Sequence, residues 1–368
     1  MKEGAVRFLW RNPAALEGFR TGVCLHGHTM YSQECLSFLP RYLHCVPGVS
    51  AVVRRYEEAA VDFARAYWTP PLSPASALRL ERGQIGGLGI APLVSLTDHD
   101  DIEAGLALQV TEQRDQVPIS VEWTVLYRQS IFHLGVHNLP PQEERRWMAR
   151  MAAHTAAPAE AELPELLREL HALPETLVVL NHPFWLEEGV TRHNHEHALE
   201  YLLRESAGWL HAFELNGTRP WKENAAAMQL ARVYHRPIIS GGDRHACEPA
   251  ACINLTNAST FSEFVQEVRE GHSTLMFMPQ YREPLAIRVM EASWDILRVY
   301  PEYPGRERWI DRIFYRDLEG TARTLANVWK GEVPWMLRGA TAALELVATT
   351  RLRQAVRQLL LRRGESLP

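Results

Sequence analysis

No CxxC pair occurs among the five cysteines, Cys24, Cys35, Cys45, Cys247 and Cys252. An odd number in a chain of 368 residues argues against a disulfide framework. Long apolar runs are missing too. The longest, such as Leu177–Leu180, fall far short of a bilayer span. The opening MKEGAVRFLWRNP has no apolar run of signal-peptide length, so the expected location is the cytoplasm. There is no internal repeat and no low-complexity tract. Nor is there a basic excess: a net charge of −5 excludes a generally nucleic-acid-coating surface and leaves only local basic patches.

The composition is otherwise that of a globular protein, 46% hydrophobic and 23% charged, with material for one large α/β domain or one domain plus an appendage. Histidine is the exception. Sixteen are present, and histidine is the commonest metal ligand and general acid–base.

Short apolar runs alternate with helical patterns, which favours a parallel or barrel-like α/β architecture. Strands are expected at Val23–Leu25, Leu93–Leu96, Ile119–Leu126, Ile131–Val136, Thr176–Leu180, His211–Leu215, Pro237–Ser240 and Ala251–Leu255. Helices are expected at Ala51–Tyr67, Ile102–Gln113, Gln142–His154, Leu163–Ala172, His195–Ser206, Asn224–His235 and Phe261–Glu270. The Pro- and Gly-rich stretch Thr69–Pro92 reads as a loop. Beyond Met278, Pro284–Val299, Glu307–Arg316, Leu318–Lys330 and Arg338–Arg363 all read as helical. This gives a catalytic domain over 1–280 and a helical extension over 281–368.

Chemistry-bearing residues cluster where apolar runs end. In Leu25-His26-Gly27-His28-Thr29 the two imidazoles are i and i+2, on one face of a strand, and can point at one ion. Taken alone, such a pair also fits two surface histidines. Ser95-Leu96-Thr97-Asp98-His99-Asp100 offers His99 as a ligand, with Asp98 or Asp100 orienting an imidazole. One of these aspartates also suits the N-cap of the following helix. Glu122, between Val121 and Trp123, is costly to bury without a cation or a partner. His133 and His137 share a strand face but stand roughly 13 Å apart, so only one reaches a site at the strand end. Asn181-His182-Pro183 ends another apolar run, and Phe213-Glu214-Leu215-Asn216 follows. Ser240-Gly241-Gly242-Asp243-Arg244-His245 then repeats the i, i+2 spacing with a carboxylate. Scattered core histidines have no reason to prefer strand C-termini, where α/β barrels build active sites.

The ordered set LHGHT, SLTDHD, ISVEW, FHLGV, NHP and SGGDRH resembles the PHP (polymerase and histidinol phosphatase) superfamily, from about His26 to His245. The family patterns are DLHxHT, xTDH, PGxE, HxxG, HP and SGSDAH. The resemblance implies a distorted seven-stranded β/α barrel and two or three divalent ions held by His26, His28, His99, Glu122, His133, His182, Asp243 and His245. It selects His133 over His137 and puts Asp98, His99 and Glu122 at the reaction centre. The family's leading Asp is Cys24 here, and its Pro-Gly before the glutamate is Ile119-Ser120. The acidic residue expected after HxHT falls at Gln33, with Glu34 adjacent, and Arg244 stands where alanine is usual.

A donor set of imidazole and carboxylate suits zinc, manganese or iron(II), with magnesium at the carboxylate-rich end. The expected activity is phosphoesterase: hydrolysis of a phosphate ester by metal-bound hydroxide. Arg192, Arg219, Lys222 and Arg244 are the candidates to grip phosphate, although strand alternation points Arg244 away from Asp243 and His245. The expected substrate is a small phosphorylated molecule or nucleotide, ahead of nucleic acid. An amidohydrolase or TatD-like hydrolase and a non-catalytic PHP-like binding module are the alternatives. The former commonly uses a carbamylated lysine and ends on a lone aspartate. The cluster His193-Asn194-His195-Glu196-His197 fits a loop and helix start. The tail Leu346–Arg363 fits an amphipathic helix packed on the domain.

Overall fold

The computed structural model describes residues 5–36, 66–187, 189–316, 319–349 and 352–361. In chain order the strands are β1 (Ala5–Phe8), β2 (Thr21–Cys24), β3 (Glu34–Cys35), β4 (Ala66–Trp68), β5 (Ala91–Val94), β6 (Val121–Tyr127) and β7 (Ser130–His137). They continue with β8 (Leu177–Asn181), β9 (Ala212–Asn216), β10 (Ile238–Gly241), β11 (Cys252–Thr256), β12 (Thr274–Phe277), β13 (Ile313–Arg316) and β14 (Ala322–Thr324).

The expected seven-stranded barrel is not what forms. Among the described residues the strands make three separate sheets, ordered β1-β12-β11-β2-β5, β10-β9-β8-β7-β6 and β14-β13-β4-β3, and none closes. Both five-stranded sheets mix parallel and antiparallel pairs. The two sheets are bridged at Gly27 with Arg244 and at His99 with Glu122, and Asn254 of β11 bonds the Ser240 backbone of β10 in place of a ladder. The ladders stop there for a physical reason. Past Cys24, Val94 and Gly241 the chain turns its polar side chains to a common centre. Individual backbone bonds then take over: His28 N–H to Arg244 O at 2.8 Å, Asp243 N–H to His26 O at 2.9 Å, and Thr97 N–H to Gly27 O at 2.9 Å.

Strand alternation sorts the core. On β8, Val178 and Leu180 join a large outer cluster with Trp123, Phe213 and the apolar faces of helices Glu144–Ala156, Leu163–Ala172 and Arg192–Ser206. Leu177 and Val179 face the other way, onto Val23, Leu25, Leu93 and helix Phe261–Arg269. The eight expected strands all form within a few residues of their predicted bounds.

Three further expectations are corrected. Thr69–Pro92 is not a loop: it holds helix Pro74–Gly86, started by Ser73, whose side chain accepts from Ser76 N–H, with proline at the first turn. Of Ala51–Tyr67, positions 51–65 lie outside the described residues, and Tyr67 is in β4. The segment beyond 281 is not all helical. It has helices Leu285–Leu297, Leu325–Val328, Trp335–Thr349 and Leu352–Leu361, but Glu307–Arg316 ends in β13, and Leu318–Lys330, whose position 318 lies outside the described residues, holds β14 before its short helix. β13 pairs with β4, so this segment adds strands to a sheet that begins at Glu34. In the tail, Arg353 pairs with Glu291 and Arg357 with Glu283, while Arg351, Arg362 and Arg363 lie outside the described residues. No helix among the described residues is long and apolar enough to cross a membrane.

Candidate metal centre

Glu122 is the hub. Fully buried on β6, its carboxylate lies 2.9 Å from His26 Nε2, 3.1 Å from His182 Nε2, 3.4 Å from His28 Nε2 and His99 Nε2, and 3.7 Å from His133 Nδ1. Burial pushes the Glu122 carboxyl up, but the His26 and His99 imidazoles outweigh it and hold it well below the usual range. Four groups of donor atoms are each compact enough for one ion: His26–Glu122–His182, His26–His28–Asp243, His28–Glu34–His99 and His99–Glu122–His133. His245 borders them, with Nδ1 3.6 Å from Asp243 Oδ1 and Nε2 3.6 Å from Glu34 Oε2. All eight ligand candidates named from the sequence thus converge.

Glu34 joins them, the neighbour of Gln33 at the place where the family motif has its acidic residue. The chain there is extended, so the two residues face opposite ways. Glu34 is buried and accepts from Ser32 Oγ at 2.6 Å, while Gln33 is exposed and accepts from Arg316. The burial alternation about Ser32, Glu34 and Leu36 is the signal that separates them.

Glu214, quoted but not assigned from the sequence, supports the centre from behind. Its Oε1 lies 2.6 Å from His26 Nδ1, and its Oε2 accepts from His182 N–H at 2.8 Å and from Asn216 Nδ2 at 3.1 Å. A carboxylate on the far ring nitrogen fixes the tautomer and orientation that let Nε2 face an ion. Asn216 and Thr218 both donate to Asp243 Oδ2, at 3.1 and 2.8 Å.

The imidazoles are held in different charge states. His28 is driven down to about 4 by burial and by His245. His133 is pushed well below its ordinary value, chiefly by burial. Burial opposes protonation of His99 and His245 as well, but Glu34 leads the carboxylates that lift them to about 10 and about 9. Protons on imidazoles here balance ionised carboxylates, the balance a cation would take over. Three of the nine non-glycine residues with positive φ among the described residues lie at the centre. Asp100, His182 and Asp243 all have positive φ, at 51°, 24° and 52°.

The remaining candidates divide. Asp98 is buried beside the centre but spends both oxygens on Thr29, accepting from its N–H at 2.5 Å and its Oγ1 at 2.7 Å; burial lifts it to about 7 despite those bonds. Asp100 accepts from Thr124 N–H. Arg219 reaches the centre: its guanidinium lies 3.8 Å over the Trp185 ring and Nη2 is 3.4 Å from Asp243 Oδ2. Arg244 does not; it is buried and turned onto Glu81. Arg192 is exposed and pairs with Glu196, and Lys222 is exposed. His137, four residues past His133, lies against Ser95. Of the HNHEH cluster His193 and His197 are exposed, while His195 turns inward between Ser130 Oγ and Pro183 O, both at 2.8 Å.

No family model and no curated protein matches the chain. Among solved structures it is similar to PsfC from Pseudomonas syringae, at 15% identity over 60% of this chain and 90% of that one, with a TM-score of 0.40. It is also similar to a candidate metal-dependent phosphoesterase from Bifidobacterium adolescentis (12% identity, 68% and 96% of the two chains, TM-score 0.34). A third is an amidohydrolase from Chromobacterium violaceum with bound sulfate and no metal (15% identity, 61% and 87%, TM-score 0.33). These likenesses are distant, and the chemistry of the site rests on its own side chains.

Proposed function

We propose that this chain is a metal-dependent hydrolase that cleaves a phosphate ester, with two or three divalent ions held by the converged imidazoles and carboxylates. One observation carries the reading: a single buried carboxylate, Glu122, within 3.7 Å of five imidazoles. The nine imidazole and carboxylate residues gathered there exceed what one four- to six-coordinate ion needs. The set has no thiolate, which suits zinc, manganese or iron(II), with magnesium a further candidate where Glu34 and Asp243 lie.

Bound ions at this place would lower the pKa of coordinated water and neutralise phosphoryl oxygens. The chain's own groups do the rest. His26, His28, His99, His133, His182, Glu34, Glu122 and Asp243 would hold the ions, with Glu122 shared between two groups and His245 bordering Glu34 and Asp243. Glu214 orients His26, and Asp98 ties down the Thr29 backbone so that His28 keeps its place. Arg219, flattened on Trp185 beside Asp243, is the cation best placed to bind a phosphoryl oxygen.

The phosphoester is favoured over an amide because the carbamylated lysine common in amidohydrolases has no counterpart among the described residues. Of the three lysines, Lys222 and Lys330 are exposed and Lys2 lies outside those residues.

The test joins elemental analysis to a screen over sugar phosphates, nucleotides, single-stranded oligonucleotides and N-acyl amides. At least two transition-metal equivalents and phosphate release, abolished by Asp243→Asn, are expected. Less than about half an equivalent, with none gained from Mn²⁺ or Zn²⁺, removes the proposal; turnover of amides alone replaces the substrate class.

A further inference from the structure

Arg244 sits between Asp243 and His245, yet its side chain runs behind the centre into the protein. Its Nε lies 2.6 Å from Glu81 Oε1, with side-chain exposures of 4% and 1%. Its Nη2 donates to Gln84 Oε1. Gln84 in turn accepts from Ala250 N–H at 2.9 Å and donates to Ala250 O at 2.7 Å. The Arg244 backbone meanwhile bridges to Gly27 and accepts from His28 N–H at 2.8 Å. One residue therefore joins helix Pro74–Gly86, the His26–His28 segment, the Asp243–His245 segment and the loop that returns through Ala250.

Resting on the metal-centre reading above, we infer that Glu81 and Arg244 form a positioning pair that sets the separation of His28 from Asp243 and His245. A buried ion pair is a poor stabiliser beside apolar side chains of equal volume, because both charges lose their hydration. What it adds is direction. The guanidinium donates from Nη2 to Gln84 while its Nε edge is held against the Glu81 carboxylate by charge, and these two partners on different edges of the planar group hold its own backbone, and the ligands on either side, in one orientation. The pairing also has an electrostatic consequence. An arginine next to cation ligands opposes cation binding through its positive charge, and Glu81 cancels that charge on the side away from the ions. Helix Pro74–Gly86, far from the six motifs in sequence character, thereby becomes part of the centre's support.

The full-length chain tests this with Glu81→Gln, Arg244→Lys and the double variant Glu81→Leu/Arg244→Met, which replaces the ion pair by apolar volume. The double variant is expected to melt within a few degrees of the wild type. Its Mn²⁺ affinity is expected to fall at least about tenfold, the scale on which supporting groups tune a metal site. In metal-free protein labelled with ¹⁵N-histidine, the His28 and His245 ring resonances should move while those of His133 and His182 stay. A purely structural role predicts the opposite for the folded double variant: affinity within twofold of wild type and unmoved His28 and His245 resonances. That result overturns the inference. Should the double variant not fold, Arg244→Lys is the deciding variant, since it keeps the charge and loses the fork; the same readouts apply. If the wild type takes up neither Mn²⁺ nor Zn²⁺, the metal reading fails by itself, and the two resonances alone decide the pair.

Discussion

A Cβ on Gly241 would stand 1.5 Å from Glu214 Oε1, the oxygen that also lies 2.6 Å from His26 Nδ1. The glycine ending β10 thus leaves the space in which the supporting carboxylate meets its histidine. Gly241→Ala is expected to expel Glu214, costing about 1–3 kcal/mol in overpacking. Glu214→Gln keeps the volume and removes the charge, and should lower metal affinity about 10–100-fold with little loss of stability. Chelator competition and thermal melts on the two variants separate the effects. Equal metal affinity in Glu214→Gln and the wild type would mean that Glu214 is a packing residue only.

Glu34 and Gln33 give a sharper test, because they are neighbours that face opposite ways. Glu34→Gln should lose the ion shared with His28 and His99, lowering the bound metal by about one equivalent. Gln33→Ala should leave metal content unchanged and cost only the exposed bond to Arg316. The reverse pattern in elemental analysis would return the ligand to the position the family motif suggests.

Why the sequence resolved some of this and not the rest has a physical basis. Ligands that follow an apolar run, such as His26 after Val23–Leu25 or His182 after Leu177–Leu180, stand out because strand periodicity fixes where the run ends. Glu34 sits in a two-residue strand whose partner, β4, pairs on its other side with β13, more than two hundred residues away. No local pattern encodes that pairing. Helix Pro74–Gly86 was legible in principle: Ser73-Pro74 is a helix start, and Ala77, Leu78, Glu81 and Ile85 make its buried stripe. A charged residue in that stripe, with the prolines and glycines around it, hid the signal. Sheet closure was not legible at all. The resemblance implies a closed barrel, whereas the two five-stranded sheets meet at the bridges Gly27–Arg244 and His99–Glu122 without joining into one ladder.

The segment after residue 281 holds the site loops at several points. Arg306 donates to Met30 O and Arg316 to Gln33 Oε1, both at 3.0 Å, and Asp295 accepts from Cys247 N–H. Arg288 donates to Gly217 O, and β13 pairs with β4. From the sequence alone, removal of residues 301–368 is expected to spare metal binding. With these contacts in place, a chain ending at Tyr300 is instead expected to lose about one equivalent, the ion that needs Glu34, while the His26–Glu122–His182 group remains occupied. Should that chain aggregate, Arg306→Ala/Arg316→Ala in the full-length protein makes the same comparison. Full metal content in both would show that the loop keeps its shape unaided.

Acid should destabilise the metal-free protein in part through histidines that have no part in the centre. Burial drives His137 down to about 3, and burial with Arg269 nearby drives His211 far down. Both are nearly inaccessible, and His211 Nδ1 accepts from Val178 N–H. Folded-state values below the unfolded value of about 6.5 mean that only the unfolded chain takes up these protons as the pH falls. Their stabilising contribution is therefore complete above about pH 6.5 and is lost progressively from there towards about pH 3. Each group contributes a slope of up to about 1.4 kcal/mol per pH unit. Urea unfolding at pH 7, 6 and 5, with chelator present so that metal loss does not contribute, should show the midpoint dropping. His137→Gln and His211→Gln should each flatten that dependence, even where they lower stability at pH 7. An unchanged slope in both variants would assign the acid sensitivity to other groups.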